Sequence, residues 1–167
     1  MSNISESTIG FVYTFETVRD GVVIDSETVK NIVPLEGLNY ILSATLLGGL
    51  QNSSYYIGIY EGNFTPTAAS TAANIPAAST ECTAYNETAR PTWVPGAVAA
   101  GGVDNSANKA VFTMNATKTV YGAYLVSGSP KSSIIGTLLS AVKFPSPKNL
   151  AATDIFRVTA GLQLVSA

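Results

Sequence analysis

The chain has 167 residues, a net charge of −2, and only 12% of its residues are Asp, Glu, Lys or Arg. It contains no histidine, the one side chain that titrates near neutral pH without a special environment. Acid–base catalysis and metal binding are therefore less expected here. No two Lys or Arg residues are adjacent, which argues against a phosphate-binding surface and against nucleic acid as a partner. We therefore expect a protein that is not an enzyme and that uses no cofactor or metal.

The apolar content of the sequence points to contact surfaces. Mean hydropathy is +0.25, yet no apolar run approaches the roughly 18 residues that cross a bilayer. We expect no membrane association, and the apolar excess should enter a core or an interface. The single Cys82 cannot form an intrachain disulfide and is expected to be buried. The polar N-terminus lacks the apolar stretch of a signal peptide, so we expect synthesis in a cytoplasm.

The N-terminal part of the chain predicts an arm followed by a hairpin. Residues 1–8 are polar and Ser-rich, which is typical of a flexible arm. From residue 9 the apolar residues alternate, which predicts a strand; the face they share comprises Ile9, Phe11, Tyr13, Phe15 and Thr17. Asp20-Gly21 predicts a tight turn, because both positions tolerate positive φ. The return strand should cover residues 22–24 and 28–33, with an interruption between them.

One helix is expected near residues 34–47. Pro34 suits a first helical turn, and Gly48-Gly49 suits the helix end. An apolar stripe at helical spacing lies between them, of the kind that a helix packs against a core; it consists of Leu35, Leu38, Leu42 and Leu46, flanked by Ile41. We expect this helix to close an open end of a β-structure.

The rest of the chain predicts short strands and two long loops. Residues 62–78 and 94–105 are rich in small residues and have no clear period, which is typical of contact loops. The predicted strands are 55–61, 109–114, 118–126, 136–144 and 154–165. A break is expected at Pro145-Ser146-Pro147. Residues 120–126 and 134–139 are apolar on both faces, so they should be central in the fold or part of a subunit interface.

This arrangement predicts a mainly β fold. Short strands separated by turns at near-regular spacing are typical of an antiparallel β-sandwich, here of jelly-roll-like type with one short α-helix. We expect a single domain over residues 9–167, after an arm over residues 1–8.

A few residues could carry a site. Glu81 and Glu87 have a spacing that a carboxylate pair could use, but in a polar loop they should be solvated. Tyr56 and Tyr60 share a strand face across a glycine, so they could stack on sugar rings, and ordinary sheet packing explains them equally well. Trp93 could anchor a partner or be a core tryptophan, the interpretation that we favour.

The middle of the chain resembles small virion proteins of tailed bacteriophages. The residues that carry the resemblance are residues 32–34, 37–39, 55–66, 81–85 and 88–91. The likeness covers roughly residue 31 to the C-terminus, and it defines a fold rather than a chemical site. It implies a capsid decoration or cement protein, a class that has no catalytic residues to carry over and that often forms dimers or trimers.

The resemblance implies a location in the virion, after assembly in the host cytoplasm. The expected partner is the major capsid protein or another virion protein, and we expect a homo-oligomer. The arm and the loops 62–78 and 94–105 should make the contacts, through the candidate contact residues Ile4, Phe64, Pro66, Trp93 and Pro95. The alternatives are a tail, collar or head-fibre subunit, and a carbohydrate-binding module for adhesion.

Overall fold

The computed structural model describes residues 8–165. The strands are β1 Thr8–Arg19, β2 Val22–Lys30, β3 Tyr55–Tyr60, β4 Thr92–Trp93, β5 Gly102–Asp104, β6 Ala110–Thr113, β7 Lys118–Val126, β8 Leu138–Leu150 and β9 Ile155–Val165. The helices are α1 Leu35–Leu46 and the single-turn α2 Ile75–Ala78, with a 3₁₀ turn at Ser106–Asn108. The expected arm lies outside the described residues except for Thr8, at which β1 begins.

The described strands form two antiparallel sheets. Sheet A has the order β2-β1-β9, with β5 and β6 both paired to the far edge of β9. Sheet B has the order β4-β3-β7-β8. The mainly β, antiparallel sandwich that the sequence predicts is confirmed. The jelly-roll connection is not established, because the hairpins β1–β2 and β7–β8 each stay within one sheet.

The first hairpin forms as the local sequence dictates. Asp20 and Gly21 take φ values of 50° and 78°, the conformation that a tight hairpin turn requires. The aromatic residues Phe11, Tyr13 and Phe15 all point into the sandwich and are buried. β2 has no break between Val22 and Lys30, but a register irregularity lies where the interruption is expected: Ile24 is an extra residue of β2 between the pairs Thr17–Asp25 and Val18–Val23.

The main core lies between the two sheets. Phe15 of β1 contacts Phe144 of β8, with ring centroids 4.0 Å apart, and stacks parallel to Phe156 of β9. A buried polar link inside this core joins the Tyr13 and Ser140 hydroxyls at 2.6 Å. Burial of these aromatic side chains is the main source of stability for such a sandwich.

Helix α1 packs through a different face from the one expected. Gly37 lies so close to β8 that a Cβ there would be 2.4 Å from the Leu139 carbonyl oxygen, and Ile41 packs on the main core. The leucine stripe lies on the opposite side, where Leu42 and Leu46 are 53% and 73% exposed. The helix reaches the core through its glycine face because only a residue without a side chain allows this close approach.

Residues 62–78 form a cover over the outer face of sheet B, rather than an unstructured contact loop. Ile75 of α2 is fully buried in a second, smaller apolar cluster with Tyr60, Tyr124 and Leu138 from that face. This cover, residues 62–78, explains why the strands beneath it are apolar on both faces. The cover thus occupies that face of β7 and of the start of β8, whereas Ile134 and Ile135, in the second segment expected to be apolar on both faces, precede β8 and are 60% and 78% exposed.

The expected break at Pro145 and Pro147 is also wrong. β8 continues through both prolines, which lie in an irregular stretch where residues 144–147 face the single residue 121 of β7. Proline is tolerated at a bulge or on an edge strand because its missing N–H costs no ladder hydrogen bond there. β8 is at the edge of sheet B in the described part of the chain.

Candidate contact surface

The loop over residues 94–105 projects from the sandwich and remains exposed. Residues 94–101 are all exposed, and Val98 reaches 76%. Ala99 and Gly102 exchange two backbone hydrogen bonds of 2.9 Å, and the Gly96 N–H donates to the Asp104 carbonyl at 2.8 Å. The loop is therefore held in one conformation by its own backbone while its side chains face solvent.

A groove separates this loop from the outer face of sheet A. Its volume is about 480 Å³, which is within the range of ligand sites. The floor consists of outward-facing residues of β1 and β9, namely Val12, Thr14, Thr159, Gly161 and Gln163. Among the described residues that line the groove, Asp104 carries the one charge. The groove is thus a nearly neutral surface of small side chains.

Two glycines allow the loop to approach β9 so closely. Gly101 has a φ of 74°, and a Cβ there would be 2.8 Å from the Leu164 carbonyl oxygen. A Cβ on Gly161 would be 2.9 Å from the Asp104 Cβ. Side chains at these positions would push the loop outward, so the shape of the groove depends on the glycines.

The electrostatics of the groove centre on Asp104. The side chain and the backbone N–H of Ser106 both hydrogen bond to its carboxylate, which holds the pKa of Asp104 below its ordinary value. Hydrogen bonds to the charged form are the expected cause of such a shift. Asp104 therefore stays ionised at neutral pH, and its charge is used to fix the turn that follows β5.

Trp93 anchors the base of the loop. Its indole Nε1 donates to the Ala160 carbonyl of β9 at 2.8 Å, and its ring packs edge-on against Tyr55. Trp93 is half-buried against the main core, so the core interpretation favoured from the sequence describes its packing. Pro95, two residues further, is exposed within the loop.

The other candidate contact residues have different surroundings. Pro66 is buried and Phe64 is half-buried edge-on against Tyr60, both within the cover. Ile4 lies outside the described residues. Among the candidates in the described part of the chain, Pro95 thus offers the most open surface.

A second apolar surface lies on and after α1. Five leucines between residues 35 and 50 are more than half exposed, and we call them the leucine face: Leu35, Leu42, Leu46, Leu47 and Leu50. Leu50 reaches 96% exposure. Exposed apolar patches of this kind are typical of contact surfaces. The leucine stripe was visible in the sequence. That it lies on the exposed side of the helix became clear only from the packing of Gly37 against β8.

The two glutamates considered as a carboxylate pair have separate structural roles. Glu81 is buried and forms a two-pronged ion pair with Arg90, with Nε–Oε1 and Nη2–Oε2 distances of 2.9 and 2.7 Å. Glu87 accepts hydrogen bonds from the backbone and hydroxyl of Thr113. The expectation that both are solvated is wrong for Glu81, because Arg90 and the Ser132 N–H replace water around its carboxylate.

The remaining candidates are also explained by packing. Tyr60 is fully buried, and its hydroxyl donates to the Val142 carbonyl at 2.8 Å. A stacking platform of Tyr56 and Tyr60, one of the two interpretations considered, would need both rings at the surface, and the Tyr60 ring is buried. Cys82 is buried as expected, and burial raises the pKa of its thiol above the ordinary value.

No protein-family model and no curated protein matches the chain. Within residues 8–165, neither helix has the length and apolar character needed to cross a bilayer. In the same part of the chain, no three Cys, Asp or Glu side chains come together in a group that could hold a metal ion.

Proposed function

We propose that this chain is a non-enzymatic structural protein of a phage virion, a decoration or cement protein that binds the head and stabilises it. The virion assignment comes from the sequence resemblance of residues 31–167. The binding mode is supported by one observation: residues 94–101 form an exposed, uncharged loop beside a neutral groove. Burying such a surface carries little electrostatic desolvation cost.

The occupant that suits the groove is an extended segment of the major capsid protein. Its floor presents Thr14, Thr159 and Gly161, small residues over which a backbone can pass closely. A shell displays many identical copies of its subunit, so a modest affinity at each groove is multiplied by symmetry and avidity. A weak, nearly neutral groove is sufficient for this role.

The use of the buried charged groups supports a structural role. The Glu81–Arg90 pair fixes the loop after β7, since Arg90 also donates to the Gly128 and Ser133 carbonyls. The Glu36 carboxylate accepts from the backbone N–H groups of Ala72 and Leu138. These charged side chains hold loops in place and do not face a substrate site.

Location in the particle is the first test. Gold-labelled antibody against the chain should decorate the heads of virions from the phage that carries this sequence. Labelling of the tail or collar would instead support the alternative structural role. Virions without label, from a preparation in which the chain is expressed, would overturn the proposal.

The contact loop is the second test. Heads assembled without the chain should bind the purified protein in co-sedimentation, and Val98→Glu should reduce the bound fraction at least tenfold, because a charge would be buried without a partner. Asn115→Glu is the matched control: it adds the same charge at an exposed position in the turn between β6 and β7. Equal binding by both variants would exclude the loop as the contact.

A further inference from the structure

Helix α1 has two apolar faces on opposite sides, and the sandwich uses one of them. Gly37 and Ile41 face the sheets. On the other side, residues 35, 39, 42 and 46 form one exposed stripe with a spacing of four, three and four residues. This is the spacing at which two helices pack side chains between one another. Leucine occupies three of the four positions, and Asn39 is the polar exception.

The stretch of chain that carries the stripe has little charge that would select a charged partner. From residue 37 to residue 60 the sequence contains no Asp, Glu, Lys or Arg. The one charged residue of α1, Glu36, directs its carboxylate to the backbone N–H groups of Ala72 and Leu138, at 2.8 and 2.6 Å. Two copies of this surface can therefore meet without opposing like charges, whereas a charged partner would find no counter-charge.

We propose that the leucine face pairs with the same face of a second copy of this chain, with the two α1 helices parallel and in register about a two-fold axis. In this arrangement Asn39 meets its equivalent in the second copy, so each amide has a hydrogen-bonding partner. An antiparallel pairing would place Asn39 against Leu42 and leave the amide without a partner, which is costly. The inference does not depend on the proposed role in a phage head.

The interface should be weak on its own. Burial of the five leucines removes on the order of 300 Å² of apolar area from each copy, less than the roughly 800 Å² per partner of a standard stable interface. The uncharged residues around the leucines would supply the remainder. We therefore expect a dimer whose dissociation constant is in the micromolar range, and whose population depends on concentration.

Sedimentation of the full chain tests the pairing. From about 1 μM to several hundred micromolar, the mean mass should rise from one chain to two. The double variant Leu42→Gln/Leu46→Gln should keep the mass of one chain and an unchanged circular dichroism spectrum, since Gln is also a good helix former. Leu164→Gln is the matched control, because Leu164 is 56% exposed on β9, and it should dimerise as the unaltered chain does. A constant one-chain mass for the unaltered protein, a double variant that still dimerises, or a larger assembly would overturn the proposal.

A cysteine cross-link tests the orientation while Asn39, the residue that selects it, is kept. Under mild oxidation, Leu35→Cys should give a disulfide-linked dimer, because parallel in-register helices bring the two residues 35 within disulfide reach, whereas an antiparallel pairing places residue 35 against Leu46. Asn63→Cys, also exposed, should remain unlinked, and Cys82 is buried and does not interfere. Failure of Leu35→Cys to link faster than Asn63→Cys would overturn the parallel arrangement, and this outcome does not depend on the folding of the glutamine variants.

Discussion

The cover, residues 62–78, and the loop over residues 94–105 have similar sequences but opposite surroundings. Both are rich in small residues, above all Ala, and lack a clear period. The cover contains a single apolar helical turn whose Ile75 is fully buried on sheet B, whereas the loop leaves residues 94–101 exposed. Composition alone therefore does not separate the two segments: Pro66, Ala72 and Ile75 of the cover are buried, whereas Val94 and Val98 of the loop face solvent.

The two segments also differ in how their ends are held. The cover is closed by Tyr60 and Glu81, which form a β-bridge, and Glu81 in turn binds Arg90. The loop is closed by its own backbone and by the Trp93 indole on β9. Changes in the cover should therefore cost stability, and changes in the loop should cost binding.

The largest expected effect comes from removing one partner of the ion pair that closes the cover. Arg90→Met should lower the free energy of unfolding by about 3 to 5 kcal/mol, because it leaves the buried Glu81 carboxylate without its counter-charge. Urea denaturation followed by fluorescence measures the loss.

The double variant is the control for this change. Glu81→Gln/Arg90→Met removes both charges, keeps an acceptor for the Ser132 N–H, and should recover at least half of the loss. If the double variant were as unstable as Arg90→Met, geometry rather than the unpaired charge would be the cause.

The comparison between cover and loop can be tested with one aliphatic truncation in each. Ile75→Ala should cost about 3 kcal/mol of unfolding free energy, since it empties a buried site between α2 and sheet B. Val98→Ala should change it by less than about 0.5 kcal/mol, because Val98 is exposed. Both values come from urea midpoints. Similar small losses for the two variants would mean that the cover does not contribute to the core.

A smaller effect is expected at the link between the cover and α1. Glu36→Ala removes the acceptor of two backbone N–H groups, those of Ala72 and Leu138, and should cost about 2 kcal/mol. Glu36→Gln keeps a carbonyl acceptor and should cost less. The order of the two thermal midpoints checks the argument, and equal midpoints for the two variants would contradict it.

The sequence predicts those features that depend on neighbouring residues. The Asp20-Gly21 turn and the alternation around Tyr13 are set within a few residues, so the pattern is sufficient. The outward side of the leucine stripe was not predictable, because both faces of α1 are apolar and the choice depends on the fit of Gly37 to β8. The Glu81–Arg90 pair was not predictable either, because in the sequence both residues resemble exposed loop charges, and only the folded structure shows that they are buried together.

The smallest expected effect lies in the loop and concerns a pKa rather than stability. Ser106→Ala removes one hydrogen bond to Asp104, so the pKa of that carboxyl should rise toward its ordinary value of about 3.9. It should stay somewhat below that value, because the residue-106 N–H still donates at 2.8 Å. Carboxyl chemical shifts measured across a pH titration give the change.

The lowered pKa of Asp104 determines how its contribution to stability changes with pH. A carboxyl whose folded pKa is depressed stabilises the fold above its unfolded pKa, and this contribution is lost as the pH falls through the folded pKa. Ser106→Ala should therefore weaken the acid dependence that Asp104 contributes, while Ser146→Ala, at an exposed position of β8, should leave the pKa of Asp104 unchanged. A pKa that is the same in both variants would show that the Ser106 hydroxyl does not hold the carboxylate, and that the loop is fixed by its backbone.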